Sequence, residues 1–175
     1  MPFNQQVTFP CELTLRSTPN GPRLLRQPIR EIALLHTNQV SWTNRTLQSD
    51  QTLSLESTGS LFHIRSELAI PDGAKLAFNI RGVPLVFTST NLQSGGKPVA
   101  LPHPVRDLEI LVDRASIETF VNQGEVSFTR FVLPAAEGLS LQAMGGPVSI
   151  QSVTVHQLKS AWTKGLFSTG SSRRD

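Results

Sequence analysis

The chain has 175 residues, 38% of them hydrophobic and 17% charged, which is enough apolar material for one folded domain with a core of its own. Its 12 glycines and 12 prolines argue against long helices, and a net charge of +3 with no basic run and no RNA-type aromatic motif argues against a nucleic-acid partner. Cys11 is the single cysteine, which excludes an internal disulfide, and no apolar run approaches the ~18 residues of a membrane span, so no membrane partner is expected.

In chain order, Gln6-Val7-Thr8-Phe9-Pro10 and Cys11-Glu12-Leu13-Thr14-Leu15-Arg16 alternate apolar and polar residues with a period of two, as half-buried strands do. Thr18-Pro19-Asn20-Gly21 supplies a turn, and Pro22-Arg23-Leu24-Leu25-Arg26 returns from it, so residues 1–27 are expected to contain a β-hairpin. Residues 28–39 read as a linker, within which Ile29 to His36 is either a short helical turn or an extended connector. Beyond it, residues 40–162 hold a series of short strand-like segments. These are Gln51 to Leu55, Leu61 to Leu68, Lys75 to Ile80, Pro84 to Ser89, Leu108 to Asp113, Ile117 to Val121, Val126 to Leu133, Leu139 to Met144 and Val148 to Gln157. Turns such as Pro71-Asp72-Gly73, Asn122-Gln123-Gly124 and Gly145-Gly146-Pro147 separate them. This spacing predicts an all-β protein, a two-sheet antiparallel β-sandwich of jelly-roll or concanavalin-like form, preceded by the hairpin. Residues 163–175 are mostly small or polar and read as a tail outside the core. No repeat of propeller-blade or solenoid length is visible, so a propeller cannot be built from this chain alone.

Three segments carry a family resemblance. The segment from Pro2 to Pro28 resembles the closing strands of a catalytic β-propeller and its exit to a second domain. Asp113-Arg114-Ala115-Ser116-Ile117-Glu118 stands at the tip of a hairpin, where the related sequences commonly have Asp-Arg-Ser-Ser-Val-Glu. His156-Gln157-Leu158-Lys159-Ser160-Ala161-Trp162 is similar to their last strand, which in one branch ends Leu-Lys-Ser-Ala-Trp. Together they resemble the C-terminal β-sandwich of family 32 glycoside hydrolases, the invertase, inulinase and levanase group. The resemblance implies that full-length members continue upstream of Met1 with a propeller that holds the catalytic acids. Their Trp-Met-Asn-Asp-Pro-Asn, Arg-Asp-Pro and Glu-Cys motifs do not occur here, and Cys11-Glu12 reverses the order of the last. A retaining glycosidase needs two carboxyl groups about 5 Å apart across the scissile bond. The expectation is therefore a non-catalytic module whose partner is the catalytic propeller, with a stand-alone fructan-binding module as the alternative.

The sequence offers four candidate carbohydrate contacts. Asp113 and Arg114 present a carboxylate and a forked donor suited to vicinal hydroxyls, although a tip Asp that accepts backbone N–H groups is ordinary turn chemistry. Glu118 is expected as a surface carboxylate with Arg114, Arg65 or the missing propeller as its partner. Trp42 offers an aromatic face for a sugar ring, whereas Trp162 reads as an anchor packed on the sandwich. Fructan or fructose is the ligand these residues would take. No catalytic residue, metal site or cofactor is expected: His36, His63, His103 and His156 share no ligand spacing, and no nucleophile elbow is present. The unpaired edges of the hairpin suggest self-association, or docking back on the sandwich.

Overall fold

The computed structural model describes residues 7–18, 21–133 and 136–161. Gln6, the Pro19-Asn20 centre of the first turn, Trp162 and the tail 163–175 lie outside those residues. Strands β1 (Cys11–Thr18) and β2 (Gly21–Pro28) form a separate two-stranded sheet, followed by a 3-10 helix (Arg30–Leu35). Then come β3 (His36–Leu47), β4 (Thr52–Ser54), β5 (Phe62–Ala69), β6 (Lys75–Ile80), β7 (Val83–Phe87) and β8 (Asn91–Gln93). The chain continues through β9 (Val99–Ala100), β10 (Asp107–Val112), β11 (Ser116–Val121), β12 (Val126–Phe131), β13 (Leu139–Met144) and β14 (Val148–Leu158). Two six-stranded sheets result, in the orders β12-β11-β10-β5-β14-β3 and β4-β13-β6-β7-β8-β9.

Alternation builds the core. Phe62, Ile64 and Leu68 of β5, Leu108, Ile110 and Val112 of β10, and Leu139, Leu141 and Ala143 of β13 all point inward and are buried. In β14 the inward residues are Val148 and Ile150 and then Val153 and Val155, a break in the period of two. A bulge between Ile150 and Ser152 absorbs the extra residue and restores the phase against β5. Phe78 and Phe87 meet edge to face with ring centroids 5.9 Å apart in the middle of this core. Burial of each such side chain contributes about 1.5–3 kcal/mol.

The nine strands expected between Gln51 and Gln157 are all present, with Lys75–Ile80 and Leu139–Met144 at the read bounds, whereas residues 7–10, read as strand-like, lie outside any strand. Three further strands, β3, β8 and β9, carry little sequence signal. β3 is a 12-residue edge strand that pairs only with β14, and most of its residues are exposed, so no apolar alternation marks it. It begins at His36, and the 3-10 helix precedes it, so within the segment 28–39 the short helical turn is formed and the last residues already belong to β3. Asn44 interrupts β3 with a φ of +52°.

A second, smaller core lies on the outer side of the first sheet. Leu111 of β10 and Phe120 of β11 face outward yet are 0% and 1% exposed, because Ile32 of the 3-10 helix covers them with help from Phe9, Cys11 and Ile29. The foot of the hairpin is tied to the β11–β12 turn, where the Arg26 amide donates to the Gly124 carbonyl at 3.0 Å. Asn122, Gln123 and Gly124 all have positive φ in that turn. A Cβ on Gly124 would run into the Arg26 carbonyl oxygen, so glycine is required there both for backbone conformation and for close approach.

Gly124→Ala is expected to destabilise the protein by about 1–3 kcal/mol through strain and loss of the hairpin contact. Urea denaturation measures the loss, and limited proteolysis should find the hairpin cut first; an unchanged midpoint would contradict the steric argument.

Candidate functional site

The outer face of the first sheet collects the ionisable side chains, and strand register decides which of them meet. One row across the sheet runs His156, His63, Leu111, Glu118, and the next runs Thr154, Arg65, Glu109, Phe120. The hairpin and the 3-10 helix cover the β10–β11 end of these rows. The other end remains open as a cleft of about 730 Å3, lined in part by Arg65, Glu67, Glu109, Gln151, Thr154 and His156.

Under the hairpin, Glu118 is 1% exposed rather than at the surface, which corrects the expectation of a surface carboxylate. Its Oε1 accepts the Phe9 amide at 2.7 Å, and its Oε2 lies 3.4 Å from the Arg26 guanidinium. Arg26 also reaches Thr8 Oγ1 at 3.2 Å and stands over the Phe120 ring, 5.7 Å from its centroid. Arg114 and Arg65 are not its partners: Arg114 is exposed at the tip and Arg65 serves Glu109. Burial pushes the Glu118 carboxyl above the ordinary carboxylate range, against the Phe9 amide and Arg26, while the Asp113 charge adds to the rise.

Beside the open cleft, three histidines converge from β3, β5 and β14. The rings of His36 and His156 stack with centroids 3.8 Å apart, and His36 Nε2 lies 2.9 Å from His63 Nδ1. His63, fully buried, meets Glu109 Oε1 through its other nitrogen at 2.6 Å. Arg65 donates to that same oxygen from Nε and from a terminal nitrogen, both at 3.2 Å. Burial alone would raise the Glu109 carboxyl, but the hydrogen bond and charge of His63, with Arg65, hold it below its ordinary value. His36 is lowered from 6.5 to about 4 by burial and then by the nearby His156, His63 and Arg65; His156 is lowered by burial and by His63 and Arg65. The spacing of these histidines in the sequence gave no sign of the cluster. Among the described residues no group of three His, Cys, Asp or Glu side chains is arranged to hold a metal ion.

The four residues read as carbohydrate contacts do not form one site. Asp113 sits at the β10–β11 tip, where its Oδ1 accepts the Arg114 amide at 2.7 Å and its own amide donates to the Ser116 carbonyl at 2.9 Å. Glu118 faces the hairpin. Trp42 lies opposite Val153 on β3, partly buried against the main core and four strands from β11.

A two-sheet antiparallel sandwich with a hairpin docked on one outer face defines an all-β sandwich domain. Residues 84–157 match the family described as glycosyl hydrolases family 32 C terminal. Over that stretch the chain is similar to the C-terminal sandwich module of glycoside hydrolase family 32. It is 28% identical to the levanase of Bacillus subtilis (strain 168) over 92% of its own length and 28% of the relative, and 27% identical to the levanase of Bacillus sp. (strain L7) over 90% and 20%. The chain thus spans less than a third of these curated relatives. Among solved structures, exo-inulinase from Aspergillus awamori shares the fold with a TM-score of 0.69 and 18% identity, over 89% of this chain and 36% of that one. Fructan 1-exohydrolase IIa from Cichorium intybus gives 0.61 and 16%, over 85% and 40%.

Glu118→Ala is expected to lower stability by about 1–3 kcal/mol, because the Phe9 amide is left without its acceptor. Glu118→Gln should lose less, since an amide oxygen can take over that bond; urea titration of both variants decides, and equal losses would contradict the assignment.

The histidines also set a pH dependence. The unfolded chain takes up a proton on His36 near 6.5 and the folded chain only near about 4, so His36 supports full stability above the first value and progressively less as pH falls through that window. Denaturation midpoints are expected to fall across the window and to fall less steeply in His36→Gln. A variant with the parent slope would remove His36 from the account.

Proposed function

We propose that the chain acts as the non-catalytic C-terminal module of a fructan- or sucrose-cleaving enzyme of the β-fructofuranosidase, levanase or inulinase type, and that it supports the catalytic propeller. The observation that carries this reading is the hairpin. Its foot is seated on the sandwich, while Leu13, Leu15 and Leu24 stand out from it at 60%, 71% and 59% exposure. Leu15 and Leu24 are cross-strand partners, and Leu13 lies two residues along on the same side, so the three form one apolar face. Contiguous apolar surface of this kind is suited to a protein partner. A propeller blade completed by β1 and β2 would cover it. Glu109 and Glu118 of the outer face are meanwhile engaged within the module, Glu109 by His63 and Arg65 and Glu118 by Phe9 and Arg26.

Fructan binding by the module itself is the second reading, favoured by the polar cleft beside His156, where Arg65, Glu67, Gln151 and Thr154 supply both donors and acceptors. Self-association through the hairpin face is the alternative fate of the leucines in the isolated chain.

The test is association. A family 32 propeller expressed without its sandwich is expected to co-purify with this chain, and Leu13→Asp with Leu15→Asp should abolish the complex while leaving the sandwich folded. The purified chain should release no sugar from sucrose, levan or inulin. Heat from fructan oligosaccharides in calorimetry, with no complex formed, would favour the binding module instead.

A further inference from the structure

A second cleft, of about 450 Å3, opens between the hairpin and the sandwich on the side of the β11–β12 turn. Its walls include Arg16 of β1, Arg23 of β2 and Arg106 of the segment entering β10, and its floor includes Leu25, only 4% exposed. The arrangement is electrostatically unfavourable as it stands. Arg16 and Arg23 are direct cross-strand partners, so two like charges share one face of the hairpin, and Arg106 approaches from the sandwich.

Asp107 and Glu125 also line the cleft and offset part of this charge, but each is engaged by another group. Asp107 Oδ1 accepts the Gln123 amide at 2.7 Å, and Glu125 Oε1 is held by His103 Nδ1 at 2.7 Å. Arg16 reaches the neutral Gln123 Oε1 at 3.4 Å. Among the described residues, no carboxylate lies in ion-pair contact with Arg16, Arg23 or Arg106.

We propose that this arginine-walled cleft binds a small phosphate monoester, with its phosphate between the three guanidinium groups. Guanidinium forks match phosphate oxygens two at a time, and three of them around one dianion replace mutual repulsion with charge-assisted hydrogen bonds. The cleft is larger than phosphate requires and falls in the size range of small-ligand sites, which leaves room for a sugar-sized body beside Leu25. The site does not depend on the propeller-supporting role.

Calorimetry of the full chain at low ionic strength, with inorganic phosphate, fructose 6-phosphate and fructose as probes, tests it. Saturable binding of fructose 6-phosphate is expected, with fructose silent in its competition, and affinity should fall about tenfold or more in Arg106→Gln and in the Arg16→Gln/Arg23→Gln double variant. All three positions are exposed, so unchanged thermal midpoints will show that the variants fold. The proposal is overturned by absence of saturable binding of either phosphate compound, by affinities that ignore the substitutions, or by equal displacement with chloride at matched ionic strength.

Discussion

An antiparallel sheet that gives one face to a sandwich core ordinarily leaves its other face to water, yet β10 and β11 place Leu111, Phe120 and Glu118 on that outer face and bury all three. The 3-10 helix and the foot of the hairpin must therefore lie across these strands, because nothing else in the described chain covers them. Much of the molecule follows from that constraint. It sets where β3 begins, why the β11–β12 turn must contain a glycine, and why a carboxylate on the last signature position is an internal fastener. A buried carboxylate is tolerable only when its oxygens are met, and here one main-chain amide and one guanidinium meet them.

The match to the family 32 C-terminal model and the geometry point the same way. The outer face is rich in ionisable groups, and its two best-buried carboxylates are tied to neighbours within the module. Glu109 gathers His63 and Arg65, and Glu118 gathers Phe9 and Arg26. Such pairing suits a surface whose business is holding another body in register. On the proposed reading the hairpin is the shared element: its foot is seated on the sandwich, and its exposed leucines would meet the propeller.

The sandwich was legible in the sequence because its inner strands alternate cleanly. β13 shows Leu139, Leu141 and Ala143 on one phase, and β6 shows Leu76, Phe78 and Ile80. β3 was not legible, since an exposed edge strand need not alternate. The site was harder to read than the fold. His36, His63 and His156 meet only through pairing across three strands, and residues so far apart in the chain carry no local trace of that pairing. Glu118 did carry a trace. Phe120 shares its outward phase, and a large aromatic residue on the supposedly wet side of a strand implies that something lies over it.

The broken edge strand has one more consequence. β3 presents a long row of main-chain groups to solvent, the kind of rail on which another polypeptide can lay itself down. Asn44 bends that rail at a left-handed residue, opposite the bulged Gln151 of β14, and so divides it into two short stretches that no single straight strand can follow. A margin bent in this way gives a second straight strand poor footing along its whole length.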